Sequence, residues 1–500
     1  MLSFGNIIYP TLDLYLYDLR NGLGEDLSEI QDNRNLFQAK LPEKLHTILF
    51  NKDTAFEAKY DPLLDPPISK FGGNDGYIER CYYPVRLSDT YGLLFNCSST
   101  NQTDPLPVNF VKTLKDYIER ELKGQAATLG QTWMISGELP NESNQSPREL
   151  AKLCYSYLIP NGNWDEDLSK GGEGRLHGGY VFELWNYELT MPERSINLKT
   201  EKPPLLTQIQ KNIHVIIALY PDKKSAKKAV TYVTDWMTLF SYRSKIMWSY
   251  GQSRYLKELI NQDFICINQS IQEMELASRK KVDLKKIQSI LGQAQRTQSM
   301  YTMHGAKFQY QIKTIEVNLK NYNKRLHTIR QQLLNNTPSL IFLPTHANNN
   351  CTDLNFLDKF SKIVQEQYLV QTQVDYDNFT PGSQLLEGLM NSIESLRVLV
   401  ETDQAQRDRA FQHQVAIWGT ALAVGSIVAS VSEQFPIVVV PTVAATEEND
   451  AKQHLLSPYL LDMGVTDPWL TPAISTVMTI LTTAIVALFI RGMLYLFDRQ

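Results

Sequence analysis

The sequence lacks most of the patterns that mark chemistry. Its five cysteines, Cys81, Cys97, Cys154, Cys266 and Cys351, form no CxxC pair and no closely spaced ligand set, which excludes a disulfide framework and a zinc site and leaves them as core thiols. The eight histidines are scattered with no HExxH, and no GxSxG occurs, so neither a metallohydrolase nor a serine hydrolase is indicated. The glycine-rich pieces 71–76 and 171–174 match neither GxxxxGK[ST] nor GxGxxG and read as turns rather than phosphate cradles. No enzyme activity, cofactor or metal-ligand set is read from the chain. A net charge of -5 and the absence of a long basic run exclude nucleic acid as a partner. The one basic cluster, Lys223, Lys224, Lys227 and Lys228, reads as the solvated first turns of a helix. No basic, cleavable leader opens the chain, because residues 1–17 contain Pro10 and Asp13 and alternate like a strand.

Charge itself is missing from two stretches, 410–432 and 469–490. At about 1.5 Å per residue each matches a hydrocarbon core of about 30 Å. A pair of buried helices in a soluble domain is the alternative, and the first stretch does include Gln412, His413 and Gln414. The cores of both stretches nevertheless have no polar face for water, which favours membrane spans. Arg407 and Arg409 precede the first and Arg491 and Arg499 follow the second, whereas the 433–468 loop carries only Lys452 against six acidic residues. By the basic-residue asymmetry both termini are cytoplasmic. The expected location is an inner or plasma membrane, crossed twice. His413 falls where the first span enters the bilayer and is either an interfacial group or one that responds to pH.

Ahead of the spans the texture changes once. Residues 1–222 are rich in Pro, Gly, Tyr and Asn with short apolar runs, and read as an α/β domain large enough to bury its own core. Strands are expected at 7–17, 92–95, 179–185 and 214–220, and helices at 111–122 and 149–158. Residues 223–409 read as helical hairpins and a stalk, with helices over about 225–259, 270–295, 307–334 and 354–374, and a turn at 338–350. Ile312, Ile315, Leu319, Tyr322, Leu326, Ile329 and Leu333 recur at alternating intervals of three and four, a heptad seam. Leu386, Leu389, Ile393, Leu396 and Val400 repeat that spacing in a stretch leading into the first span. A helix continuous over 381–432 would be roughly 75 Å long. Its partners are the preceding helices, copies of the same chain, or both.

The predicted fold is therefore an α/β N-terminal cytoplasmic domain (1–222), a long antiparallel helical stalk or coiled coil (223–409) and a C-terminal two-helix transmembrane hairpin. The hairpin comprises a span at 410–432, an extracytoplasmic loop at 433–468, a second span at 469–490 and a cytoplasmic tail at 491–500. This order of elements resembles the CorA-like family of divalent-cation transport proteins. The resemblance implies helical hairpins, then a very long stalk helix running into the first of two C-terminal spans. The family's Gly-Met-Asn tripeptide is missing, since the first span ends Ser430-Val-Ser-Glu-Gln-Phe-Pro436, and the outer loop is longer than the family's short one.

Thr420, Gly425, Ser426 and Ser430 are the candidate pore or helix-packing residues, with Ala421 and Ala429 completing a small-residue stripe. Hydroxyls at this depth either line a pore or return their hydrogen bonds to the preceding turn. No ionisable residue sits at the centre of either span, which argues against a proton relay and leaves a passive pathway. Glu433, Asp462 and Asp467 would form an outer acidic vestibule, multiplied around a symmetric ring. The expected partners are copies of the chain, the lipid bilayer and divalent or monovalent cations. Two functions follow: a homo-oligomeric cation channel or transporter with a cytoplasmic sensing domain, or a membrane-anchored sensor, scaffold or stress-response effector.

Overall fold

The computed structural model describes residues 5–21, 27–49, 60–72, 76–141, 145–189, 210–279, 284–335, 352–379 and, in part, 382–391. These divide into two compact units, one of residues 1–255 with 309–373 and one of 256–308 with the residues from 374 onward.

The first unit is built on a ten-stranded mixed sheet in the order β2-β4-β5-β1-β7-β10-β9-β8, with β3 added to β4 and β6 to β1. The strands that organise it are β1 (Asn6–Leu19), β4 (Ile78–Leu87), β5 (Thr90–Ser99), β7 (Gly130–Glu138), β8 (Gly172–Leu176), β9 (Gly179–Leu189) and β10 (Gln210–Tyr220). The short strands are β2 (Asp61–Pro62), β3 (Ser69–Gly72) and β6 (Pro105–Pro107). β7 and β10 run parallel, as a long crossover requires, and the other neighbours are antiparallel. The expected strands at 7–17, 92–95, 179–185 and 214–220 all lie within these elements.

Alternation along the strands gives the sheet two unlike faces. On one, Leu12, Leu14, Leu16, Phe95, Ile135, Leu184, Val215 and Ile217 form an apolar core, packed with side chains of α3 (Phe110–Leu122) and α4 (Pro147–Leu158). α3 buries Val111, Leu114, Ile118 and Leu122, spaced at one helical face. α4 starts at a capping box: Ser146 accepts from the Glu149 amide while the Glu149 carboxylate accepts from the Ser146 amide, and Pro147 fills the first turn, where no amide is needed. Both helices match the sequence expectation at 111–122 and 149–158. α1 (Leu27–Gln38) adds Phe37, stacked on Tyr91 at 4.7 Å. α2 (Glu43–His46) and α5 (Trp164–Lys170) complete the small helices of this region.

The other face carries Asp13, Tyr15, Tyr17, Thr132, His214, Glu183 and Trp185, covered by the first part of α7 (Val233–Arg279). Tyr17 donates its hydroxyl hydrogen to the Met237 carbonyl at 2.8 Å, and the rings of Tyr15 and His214 meet Phe240 edge-on at 5.4 and 5.3 Å. Ahead of α7 lies the short α6 (Lys223–Val230), capped by Asp222 on the Ser225 amide at 2.8 Å. The lysine cluster is exposed on it, as expected of a solvated helix start.

The helical part is simpler than the expected set of shorter helices. α7 runs unbroken to Arg279 and α8 spans Leu284–Asn335, so the chain stays helical through 260–269 and 296–306, where breaks were expected. No proline occurs in either stretch to stop the backbone ladder. Within the first unit the seam from Ile312 to Leu333 is buried throughout, and Tyr322 packs edge-on against Phe360 at 5.3 Å. Arg325 pairs with Asp235 at 3.0 Å, joining α8 to the start of α7. The segment after residue 352 is helical over α9 (Asp358–Ile363), a π-helical turn (Val364–Leu369) and α10 (Val370–Asp377).

Glycines 171–174 are not a turn. Gly171 ends α5 and Gly172 begins β8, an edge strand against which residues 353–356 lie. A Cβ at Gly171 would stand 2.0 Å from the Glu183 carbonyl oxygen, and one at Gly174 2.2 Å from that of Asp353. Close backbone approach, not loop geometry, is why side chains are missing there.

In the second unit the remainder of α7 and the start of α8 pack through Leu256, Ile260, Ile267, Ile290, Tyr301 and Phe308. His304 Nδ1 meets Asp263 Oδ2 at 2.7 Å, Lys257 pairs with Asp375 at 2.7 Å, and the Tyr301 hydroxyl donates to the Phe379 carbonyl at 2.6 Å. Leu386 of the second seam is buried; Ile393, Leu396 and Val400 lie outside the described residues. Among the described residues no helix is long and apolar enough to cross a membrane. The expected spans at 410–432 and 469–490, the loop between them, and the turn at 338–350 lie outside the described residues.

Candidate functional site

The densest chemistry in the first unit lies on the polar face of the sheet. Strand register sets it: Thr132 and His214 are neighbours in one row across β7 and β10, and Glu183 stands one row along on β9, opposite Ile216. Thr132 Oγ1 is 2.8 Å from His214 Nδ1, and His214 Nε2 is 3.1 Å from Glu183 Oε1. Arg243, reaching in from α7, places Nε 3.9 Å from the same carboxylate oxygen. Its guanidinium carbon lies 4.7 Å from the Phe360 ring centre and 5.4 Å from that of Trp185, an aromatic cage for a cation.

Burial governs the charge states. Thr132, His214, Glu183 and Arg243 each expose 2% or less of their surface. Removal from water pushes the Glu183 carboxyl up to about 7, with Arg243 and Lys359 pulling the other way. Burial, reinforced by Arg243, drives His214 well below the usual imidazole range, so it is neutral. Burial also lowers Arg243, and Glu183 counters it. With Glu183 ionised the hydrogen bonds fix one tautomer: Nε2 carries the proton and donates to Glu183, and Nδ1 accepts from the Thr132 hydroxyl.

The network is incompletely satisfied. Glu183 Oε2, Arg243 Nε and Nη2, and Trp185 Nε1 are buried without a hydrogen-bond partner. On the same face, Asp13 accepts from Asn96 Nδ2 at 2.6 Å and is raised to about 6 by burial. Tyr15, Tyr220 and Trp236 also bury their polar atoms there without a partner. The order hydroxyl, imidazole, carboxylate has the connectivity of a nucleophile relay. With every member sealed beneath α7, however, no substrate can reach the Thr132 hydroxyl in this conformation. What the arrangement can do is hold or pass a proton and pin α7 to the sheet. Among the described residues no group of three His, Cys, Asp or Glu is placed to hold a metal ion.

Thr420, Gly425, Ser426, Ser430, Glu433, Asp462 and Asp467, with His413, lie outside the described residues. The residues that do converge were not singled out in the sequence. A signal was present: Glu183 and His214 are ionisable residues set in the apolar strand runs Val181-Phe-Glu-Leu-Trp185 and Ile213-His-Val-Ile-Ile217. An ionisable group inside a central strand needs a partner.

No protein-family model, curated protein or solved structure matches this chain.

Proposed function

We propose that the chain is a homo-oligomeric membrane protein of CorA-like build, a cation channel or transporter whose N-terminal α/β unit is a cytoplasmic sensing domain. The observation that supports this most is the order of elements. A sheet domain is followed by helices of 47 and 52 residues, then by a second heptad stretch leading into the first of two uncharged C-terminal segments. A tether alone needs neither a second span nor a rod to couple it to the domain. In this reading the 381–409 stalk passes a rearrangement of the sensing unit to 410–432, where Thr420, Ser426 and Ser430 offer oxygen dipoles to a passing cation. Glu433, Asp462 and Asp467 concentrate cations at the outer mouth. No catalytic step and no cofactor is part of it.

The test is flux in reconstituted vesicles together with oligomeric state in detergent. Cations should pass in preference to anions, and neutral replacements of Glu433, Asp462 and Asp467 together should lower that flux, less so at high salt, where exposed charges act over only a few ångströms. Folded, oligomeric protein that conducts nothing across pH, divalent ions and nucleotides would overturn the transport reading. The anchored sensor or scaffold would then stand, a reading favoured by the absent Gly-Met-Asn tripeptide and the long 433–468 loop.

A further inference from the structure

A cleft of about 380 Å³ opens within the first unit between the tip of the β4–β5 hairpin and one face each of α7 and α8. The α7 wall is Thr238, Ser241 and Lys245, one helical face, and the α8 wall is led by Tyr310, Thr314 and Asn318. At the hairpin tip Ser88 takes a left-handed φ of 57°, where glycine is the usual choice. The conformation is held on both sides: buried Arg86 donates from Nε to the Ser88 carbonyl at 3.1 Å, and the Arg20 amide donates to the Asp89 carbonyl at 3.0 Å. A positive φ is what a two-residue turn between paired Leu87 and Thr90 requires, and these bonds hold it in place. The turn places Asp89 beside Lys245 in the lining of the cleft.

Asp89 is ion-paired with Lys245, which is almost buried, yet its own side chain remains 47% exposed. Lys245 and the Thr90 hydroxyl both donate to Oδ1, so Oδ2 accepts from neither. The ammonium has three hydrogens, of which this pair uses one. The pair therefore carries no net charge but offers an acceptor beside a donor. Lys313 also lines the cleft, and its charge is met by Glu316 at 2.8 Å. The remaining walls are hydroxyls, the amides of Asn318 and Asn321, the aliphatic Leu87 and Val317, and the rings of Tyr242 and Tyr310.

We propose that this cleft binds an uncharged small molecule bearing a vicinal diol, of nucleoside size. One diol oxygen donates to Asp89 Oδ2 and its neighbour accepts from Lys245, while the tyrosine rings supply an apolar face for an attached ring system. The compensated charge of the ion pair gives neither a phosphate nor an ammonium ion an advantage. The volume lies near the lower end of ligand pockets, which leaves no room for a dinucleotide. A ribonucleoside and a free sugar share this chemistry. The proposal does not depend on the transport reading, because binding is measured on the protein itself.

The experiment is isothermal titration of the full chain in detergent with the four common ribonucleosides, 2′,3′-dideoxyadenosine, free ribose and AMP. Saturable binding of at least one ribonucleoside, with dideoxyadenosine at least tenfold weaker than adenosine, is the result expected if adenosine is the tightest of the four. If another is tightest, its own dideoxy analogue takes the same place. Ribose binding as tightly as the nucleosides would assign the site to a free sugar and keep the diol. Asp89→Asn should weaken binding at least tenfold. Val317→Trp, made at an exposed wall position so that folding is spared, should abolish it. Binding that ignores loss of the diol, AMP binding more than tenfold tighter than adenosine, binding unchanged in Val317→Trp, or no saturable binding of any probe would each overturn the proposal.

Discussion

The two faces of the central sheet come from the same strands, one residue out of phase, and they are stabilised by opposite means. On the α3 and α4 side the centre of the sheet is dry: Leu14, Ile135, Ile217 and their neighbours need only shape and area, and polar pairs such as Lys40 with Asp18 stand at its margin. On the α7 side Asp13, Thr132, His214, Glu183 and Arg243 are just as buried, with several polar atoms unpartnered. Apolar packing would be the more stable choice for a helix that only had to stay in place. A buried polar network under α7 instead ties the stability of this face to the protonation of Asp13, His214 and Glu183.

The largest test of this contrast is to strand the cation. Glu183→Leu removes the carboxylate facing Arg243, and a guanidinium cannot shed its proton to escape. The expected cost is about 3–5 kcal/mol in urea unfolding of the full chain in detergent. Arg243→Met should cost less, since Glu183 can take up a proton, and the double variant should recover most of the Glu183→Leu loss. Additive losses would mean that the two side chains do not form a pair.

The matching change on the dry face is Ile135→Ala, expected to cost about 2–5 kcal/mol through lost burial and a cavity. Its size should be the same at every pH from 4.5 to 8, because its cross-strand neighbours, Leu12 and Ile217, do not titrate. A pH-dependent loss would show that the two faces communicate through β7. Smaller again is Thr132→Val, which keeps shape but leaves His214 Nδ1 without its donor, at about 1–3 kcal/mol. Thr132→Ser should restore most of it.

Much of this fold was legible in the sequence for a definite reason. Period-two alternation in residues 7–17 and the β-branched run 214–220 are local signals, and so is the heptad seam from Ile312 to Leu333; all three are where the pattern put them. Glycines 171–174 misled because a turn and a close backbone approach use the same residue, and only the partner strand tells them apart. The expected helix ends near 259 and 270 misled in a different way, since nothing in 260–269 interrupts the backbone ladder and the helix runs on to Arg279. The buried network was illegible as a site because it depends on register between β7, β9 and β10 and on Arg243 from a helix, none of it local. A lone histidine in an apolar strand announces that it has a partner without saying which one.

The finest test uses pH, where the groups of the polar face pull in opposite directions. His214 refuses a proton in the folded state, whereas the unfolded chain accepts one below its ordinary value of 6.5. Its contribution therefore makes stability fall as pH drops below 6.5, by about 1.4 kcal/mol per pH unit at full effect. Asp13 and Glu183 do the reverse. Their carboxyls are raised from 3.8 to about 6 and from 4.5 to about 7, so through those windows the folded protein keeps protons that the unfolded chain has lost, and stability falls as pH rises. Between pH 4.5 and 6 the two carboxyls together outweigh the imidazole, and this face contributes a net loss of roughly 0.6 of a proton's worth of stability per pH unit on going up. His214→Asn keeps a donor for Glu183 and an acceptor for Thr132 but cannot titrate. The variant should therefore lose stability more than twice as steeply as the wild type across that window, and run parallel to it from pH 7.5 to 8.5, which urea titrations at pH 4.5, 5.25, 6, 7.5 and 8.5 would resolve. Parallel curves between pH 4.5 and 6 would mean that His214 takes up its proton inside the fold, and that water reaches the polar face beneath α7.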